Sequence, residues 1–450
     1  MALPAFAVGI DDPLSVGRLT PPRPTPQGLG RQVDVPCATS LPASLSVPLT
    51  AVAAVDLALC NHPQTREVWA SARAQAALLG AARGAWLPTL GGSLSSTGTD
   101  YGKNKDSASV TLSWLLFDFG QRSANVENAV QLLAAAAATQ DATVQSLFLA
   151  ALQAYYSGQA TRAAVISALE AERSADEAYK AAETRYQVGV ATPADRLQAK
   201  TALSQARLNR IKAEGDARNA LGTLANALGL PANVAIQLAA MPAVPDDPGF
   251  QKGIDALIAD AQRRRPDLKA AEAQFKAAEA SVDLVRAQGR PTLSLSAGPS
   301  WQRLAGENTH GNSVGLTLNV PLFTGFDTTY RVRNAQALVD LRAAQRDKLQ
   351  NQVALDVWKA YQSLSTATQS LRTAADLVAS AEQSERVALG RYRAGVGTVL
   401  DLLSAQSALA NARLQRIQAE LDWNVYRATL AQSMGALDYT LLEPVAEGKQ

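Results

Sequence analysis

The sequence predicts a mainly helical chain made of two tandem repeats, each with long coiled-coil helices and one pair of membrane-type β-strands. Three observations lead there. RYQVGVATPADRLQAKTALSQARLNRIKAE, from residue 185, and RYRAGVGTVLDLLSAQSALANARLQRIQAE, from residue 391, match at 17 of 30 positions. Between Gly120 and Gly189 there is no proline and one glycine, Gly158; between Gly325 and Gly390 there is neither. At two equivalent places the hydrophobic period drops from that of a helix to two, the mark of a strand.

The repeat extends outward. NHPQTREVWASARAQAALLGAARGAWLPTL (61–90) aligns with RRPDLKAAEAQFKAAEASVDLVRAQGRPTL (264–293), and both close in Pro-Thr-Leu. The boundaries that follow are an N-terminal arm at 1–48, repeat 1 at 49–229, a linker at 230–255, repeat 2 at 256–436 and a tail at 437–450. The proline-rich joint MPAVPDDPG (241–249) lies within the linker.

Each repeat opens with an alanine-rich helix behind a proline suited to the first helical position, at 63–86 and 266–289. Strands follow at about 89–98 and 108–117, and at about 292–300 and 313–322. Val314, Leu316, Leu318, Val320 and Leu322 alternate with Gly315, Thr317, Asn319 and Pro321. A tilted strand of about 9–11 residues crosses a bilayer. Trp86, Trp114 and Trp301 stand near strand ends, where either an aromatic girdle or a simple core role suits them.

Long helices are expected at 121–187 and 326–393, each about 100 Å at 1.5 Å per residue. Gly189 and Gly395 terminate them as left-handed residues. Thr192 and Thr398 then cap return helices at 193–228 and 399–434, with Asp195 and Asp401 three residues on.

One chain thus supplies four strands, too few to close a barrel, and their apolar faces cannot be left bare. An oligomer sharing one barrel resolves this. Three chains give twelve strands and twelve helical columns, and dense alanine lets neighbouring helices approach closely.

Composition narrows the class. Charged residues are 18% of the 450 and the net charge is +2, which suggests no nucleic-acid partner. No run of eighteen apolar residues exists; this excludes a membrane-spanning helix in the sequence and leaves a β-barrel open. Ala5-Phe6-Ala7 has the small-x-small form of a signal-peptidase site, so cleavage is expected after Ala7, although a chance alanine-rich start gives the same pattern. The arm after it is dense in proline and reads as extended. Cys37 and Cys60 are either a disulfide pinning the arm or two buried thiols.

This order of elements, given twice with an RY-x-x-GV-x-T-x-x-D turn, resembles the TolC-type outer-membrane export channels from about residue 50 to 436. LALCNHPQTR (57–66), with Cys37 upstream and no lipoprotein site, is similar to the type I secretion branch. The resemblance implies a homotrimer with a twelve-stranded barrel among outer-membrane lipid and an α-helical tunnel through the periplasm. It also implies two partners, a periplasmic adaptor and an inner-membrane ABC transporter, with an exported protein toxin as cargo. In the family the repeated turn is the periplasmic tip. That places Gly189, Val190, Thr192, Gly395, Val396 and Thr398 at adaptor docking, and Asp195, Tyr392 and Asp401 at the aperture.

The pattern departs from the family at Gly397 and Ser404, where members carry an arginine and a second acid, so their salt-bridge latch is not implied here. For Asp195 and Asp401, helix capping competes with a six-carboxylate ring. No cofactor or metal is expected: His62 and His310 have no partner at ligand spacing, and no phosphate loop or nucleophile motif is present. The chain reads as no enzyme. A soluble coiled-coil scaffold would leave the strand pairs unexplained, and a drug or metal efflux duct shares every feature above.

Overall fold

The computed structural model of the chain describes residues 12–29, 31, 37, 48–98, 105–239, 253–304 and 307–442. The expected cleavage after Ala7, most of the polar stretch DYGKNKD (100–106), the joint 241–249 and the last eight residues lie outside them.

Twelve α-helices and strands are described in the same order twice. Repeat 1 has α1 (Ala51–Asn61), α2 (Pro63–Gly84), β1 (Thr89–Thr97), β2 (Lys105–Phe117), α3 (Gln121–Gln187) and α4 (Pro193–Ala227). Repeat 2 has α5 (Ile254–Arg264), α6 (Pro266–Gln288), β3 (Thr292–Leu304), β4 (Glu307–Asn319), α7 (Asp327–Arg393) and α8 (Val399–Ser433). The mainly helical two-repeat class is borne out, and α3 and α7 are each 67 residues long. No described helix is long and apolar enough to cross a membrane.

Two helices, α1 and α5, were not singled out by periodicity. Each is separated from its successor by one residue before a proline, His62 (ψ 132°) and Arg265 (ψ 124°). Proline disfavours the helical region at the preceding residue, so each helical stretch is cut into two rods.

The chain divides into two compact units. The first comprises Met1–Pro22, Glu67–Asp141 and Pro266–Asn351. Its four strands form one antiparallel sheet in the order β1-β2-β3-β4. Directly paired residues share a face, so the register sorts the side chains. One face carries Leu90 opposite Leu112, Trp114 opposite Leu295, Leu295 opposite Leu316 and Leu293 opposite Leu318. The other carries Ser93 opposite Ser109 and Ser95 opposite Ser107, whose hydroxyls meet at 2.8 and 2.7 Å, then Ser296 opposite Gly315. An apolar wall is thereby backed by a Ser/Thr/Gly wall. Among the described residues, β1 and β4 have no partner on their outer edges.

The helices of this unit pack through small residues. Ala270, Ala273, Ala277 and Ala280 are buried at helical spacing along α6, and Asn128 of α3 donates to the Ala277 carbonyl at 2.7 Å. Ala76 and Leu79 of α2 pack on Leu133 of α3.

The second unit comprises Arg23–Arg66, Ala142–Arg265 and Gln352–Gln450. Its main core joins Val55 and Leu59 of α1, Phe148, Leu152 and Tyr155 of α3, Leu224 of α4, and Leu437 and Tyr439 beyond α8. Each such side chain contributes about 1.5–3 kcal/mol when fully buried. Asp56 is buried here and satisfied, accepting from the Tyr439 hydroxyl at 2.7 Å and pairing with Arg31 at 3.3 Å. Cys37 and Cys60 form a disulfide, with Cα atoms 5.2 Å apart. The arm is therefore tied to α1, and Leu49 makes a parallel bridge to Leu238.

Candidate functional site

Two turns, α3–α4 and α7–α8, carry the repeated motif, both in the second unit. Each long helix ends with a glycine at φ 79°, a conformation open to glycine at little cost. The Val190 amide donates to the Arg185 carbonyl at 2.9 Å and Gly189 to Tyr186 at 3.0 Å. Val396 to Arg391 at 3.0 Å and Gly395 to Tyr392 at 3.1 Å repeat the pattern. These paired bonds satisfy carbonyls that the helix end would otherwise leave open.

Three residues after each glycine stands the N-cap of the next helix, which makes a reciprocal cap. The Thr192 hydroxyl accepts from the Asp195 amide at 3.2 Å while the Thr192 amide donates to the Asp195 carboxylate at 2.9 Å. Thr398 and Asp401 do the same at 3.1 and 3.2 Å. The Thr192 hydroxyl also meets the Asp195 carboxylate at 2.8 Å. Amide and hydroxyl bonds from Thr192 hold Asp195 below the usual carboxylate range. The bonds from Thr398, with a smaller contribution from Arg391, do so for Asp401. Capping is thus a role both acids fill within a single chain.

The turns are fastened to each other by a residue whose role the motif alone did not reveal. Arg185 donates to the Tyr392 carbonyl and, at 3.5 Å, to that of Arg393, and its guanidinium stacks 4.2 Å from the Tyr392 ring. A cation placed on the last carbonyls of α7 is favoured by the helix dipole. Tyr392, expected at an aperture, is buried beneath this contact among Ala178, Ala182, Ala199, Val399 and Leu402. Burial raises its hydroxyl pKa, partly offset by Arg185. Further along, Gln406 donates to the Ser174 carbonyl at 3.3 Å, and Arg413 bridges Glu170 and Glu382. The two hairpins form one braced pair.

What the turns present outward is apolar. Val190 and Val396 are 72% and 70% exposed, with Val188, Leu197 and Leu400 exposed beside them. Valines at the extreme points of two rigid hairpins are poorly matched to water and suit a partner surface. Gly397 packs on the Arg391 side chain and offers no charge, and no cluster among the described residues would hold a metal. His62 sits at the end of α1, where its Nδ1 accepts from the Gln64 amide, and burial lowers its pKa. His310 lies opposite Trp301 in the sheet.

The family described as "outer membrane efflux protein" matches residues 54–230 and 257–436, the two repeats. Protein CyaE of Bordetella pertussis is 34% identical, with 86% of this chain and 83% of that protein covered. The probable efflux pump outer membrane protein TtgC of Pseudomonas putida is 28% identical over 74% of this chain and 71% of its own length. Among solved structures, the outer-membrane channel OprN superposes with a TM-score of 0.77 at 21% identity, over 90% of this chain and 98% of that one.

Proposed function

The chain belongs to the outer membrane efflux protein family, and from that premise we propose that it is the exit duct of a tripartite type I secretion system. It is a transport protein of the outer membrane reaching into the periplasm, and no enzyme. In this reading three copies pool their sheets into one twelve-stranded pore. A periplasmic adaptor docks on the turns at Gly189–Thr192 and Gly395–Thr398. An inner-membrane ABC transporter supplies the energy and a protein toxin passes through in one step.

The observation that carries the duct is the four-stranded sheet, apolar on one face and Ser/Thr/Gly on the other, with both edges unpaired among the described residues. Such a sheet is costly in water and equally costly alone in lipid; closure with further copies satisfies both faces and both edges. The hydroxyl-rich wall then faces the passage and offers an unfolded polypeptide little apolar surface to adhere to, Leu115 opposite Ser294 being the exception. Secretion in place of efflux is supported by Leu57–Arg66, the segment similar to the type I branch, which holds Cys60 in its disulfide to Cys37. Identity is also higher to CyaE than to the efflux relative TtgC.

Deleting the chain from its native cell tests the choice. Loss of one exported protein from the medium, with an ABC exporter co-purifying with the chain, supports secretion. Unchanged export with raised sensitivity to small toxic compounds assigns it to efflux, the reading that the family description favours. Absence of ion conduction in planar bilayers would remove the duct itself.

A further inference from the structure

The two repeats meet inside the chain where β2, from repeat 1, pairs with β3, from repeat 2. Ser113 stands opposite Ser296, Trp114 opposite Leu295 and Leu112 opposite Ala297. The outer edges present the same two kinds of strand in reverse order: β4 is the repeat of β2, and β1 is the repeat of β3. We propose that β4 of one protomer joins β1 of the next in the register β2 keeps with β3, and that residues 320–323 become strand when it does. The alignment sets Leu318 opposite Leu94 of the next copy, Asn319 opposite Ser93, Val320 opposite Gly92 and, past a bulge, Phe323 opposite Leu90. This rests on the oligomeric duct proposed above and adds its seam.

Three features support the register. First, β2 outruns β1. Their ladder stops at Thr89–Ser113, yet β2 continues to Phe117 because β3 pairs it as far as Leu293. The equivalent extension of β4 is Val320–Phe323. There the chain stops being strand, since β3 begins opposite Asn319 and offers nothing further. Leu322 and Phe323 are left 92% and 76% exposed. An apolar segment that continues a strand with no ladder partner among the described residues is what an edge awaiting a neighbour looks like.

Second, the faces agree. Leu90 and Leu94 lie on the apolar side of the sheet, as do Leu316, Leu318 and Val320 by alternation. A slip of one residue would set Leu318 against Ser93 and turn one side inside out. Third, Pro321 occupies the position of Leu115, where the register between β2 and β3 shifts before Phe117. Proline, which lacks the ladder donor, is accommodated in a sheet at such a bulge.

The test uses the full chain with its native disulfide. Ser93→Cys with Asn319→Cys places thiols at a directly opposed pair across the seam; Ser95→Cys with Asn319→Cys is displaced by two residues, about 6.8 Å. Under mild oxidation the first should yield covalent oligomers at least tenfold faster than the second. Equal rates, a faster displaced pair, or no linkage of the matched pair overturns the register. Amide exchange in the assembled wild type gives a second readout free of new cysteines. Val320 and Leu322 should be protected at least a hundredfold over an open chain, and open-chain rates overturn the extension. Conductance of the same preparations separates the two claims. Channels that conduct while the matched pair stays unlinked leave the duct standing without this seam; preparations that neither link nor conduct remove both.

Discussion

The Asp118 carboxylate and the Arg122 guanidinium meet at 2.9 Å with 5% and 6% of their side chains exposed, at the corner where β2 turns into α3. Asp118 also accepts from the Arg122 and Gly120 amides, at 2.8 and 3.3 Å. Arg122 donates to the Leu115 and Leu116 carbonyls and stacks 4.2 Å from the Trp86 ring. Repeat 2 solves the same corner with Thr324 and Thr328, whose hydroxyls lie 3.3 Å apart. Removing only the acid strands a buried cation, so Asp118→Ala should cost about 3–5 kcal/mol in denaturant unfolding of the detergent-solubilised protein. Asp118→Thr combined with Arg122→Thr should lose far less, because no charge is left unpaired.

Arg185 and Tyr392 are 207 residues apart in sequence and in direct contact. Arg185→Ala removes the donor to the end of α7 and the stacked cation together. Amide exchange over residues 392–397 should quicken by about tenfold, equivalent to roughly 1.4 kcal/mol, consistent with a charged hydrogen bond plus a stacked cation. Tyr392→Phe keeps the ring and the carbonyl, and should leave that exchange unchanged.

The turns were legible because their chemistry is local. Gly189, Gly395 and the T-x-x-D boxes specify their own geometry within six residues, and no distant partner is needed to place them. The alternation of the strands was legible for the same reason. Arg185 was visible only as a repeated letter, since its partner lies on another helix. The end of β4 differs from the reach of its pattern, which runs on through Val320 and Leu322, whereas the ladder stops at Asn319. Sequence alternation reports which residues suit a strand; a ladder additionally needs something to pair with.

Thr192→Ala and Thr398→Ala should each weaken the following helix start by about 1 kcal/mol, read as faster exchange of its first amides. Both acids have pKa values lowered by their bonds to threonine, so the folded form holds the proton less tightly than the unfolded chain. The stabilisation is then complete above the unfolded value of about 3.9 and fades as pH falls through the lower folded value. Wild-type turns should stay protected down to about pH 4 and loosen below it. For the proposed aperture role, Asp401→Ala should raise single-channel conductance or alter cation selectivity; no change in either confines Asp401 to its cap.

Cys37 and Cys60 close a loop over 23 positions. Chain-entropy reasoning assigns such a closure roughly 3 kcal/mol. Cys37→Ser with Cys60→Ser should lower unfolding stability by about that amount, and added reductant should reproduce the loss in the wild type while leaving the double variant unaffected.

The last turn of each return helix tests packing against the two rod junctions. A Cβ on Gly229 would lie 2.8 Å from the His62 Cα, and one on Gly435 would lie 3.0 Å from the Arg265 Cα; both glycines have positive φ, 71° and 67°. The repeat places His62 and Arg265 at equivalent points, each just before a proline, so the contact is made twice. Gly229→Ala should cost about 2 kcal/mol or more, from left-handed strain together with backbone displaced from α1–α2. Gly229→Asn relieves the strain and keeps the collision, so a similar loss would assign the cost to contact. Gly215, inside α4 with nothing within 4 Å of its would-be Cβ, is the converse case. Gly215→Ala should stabilise by up to about 1 kcal/mol, since only helix propensity changes there.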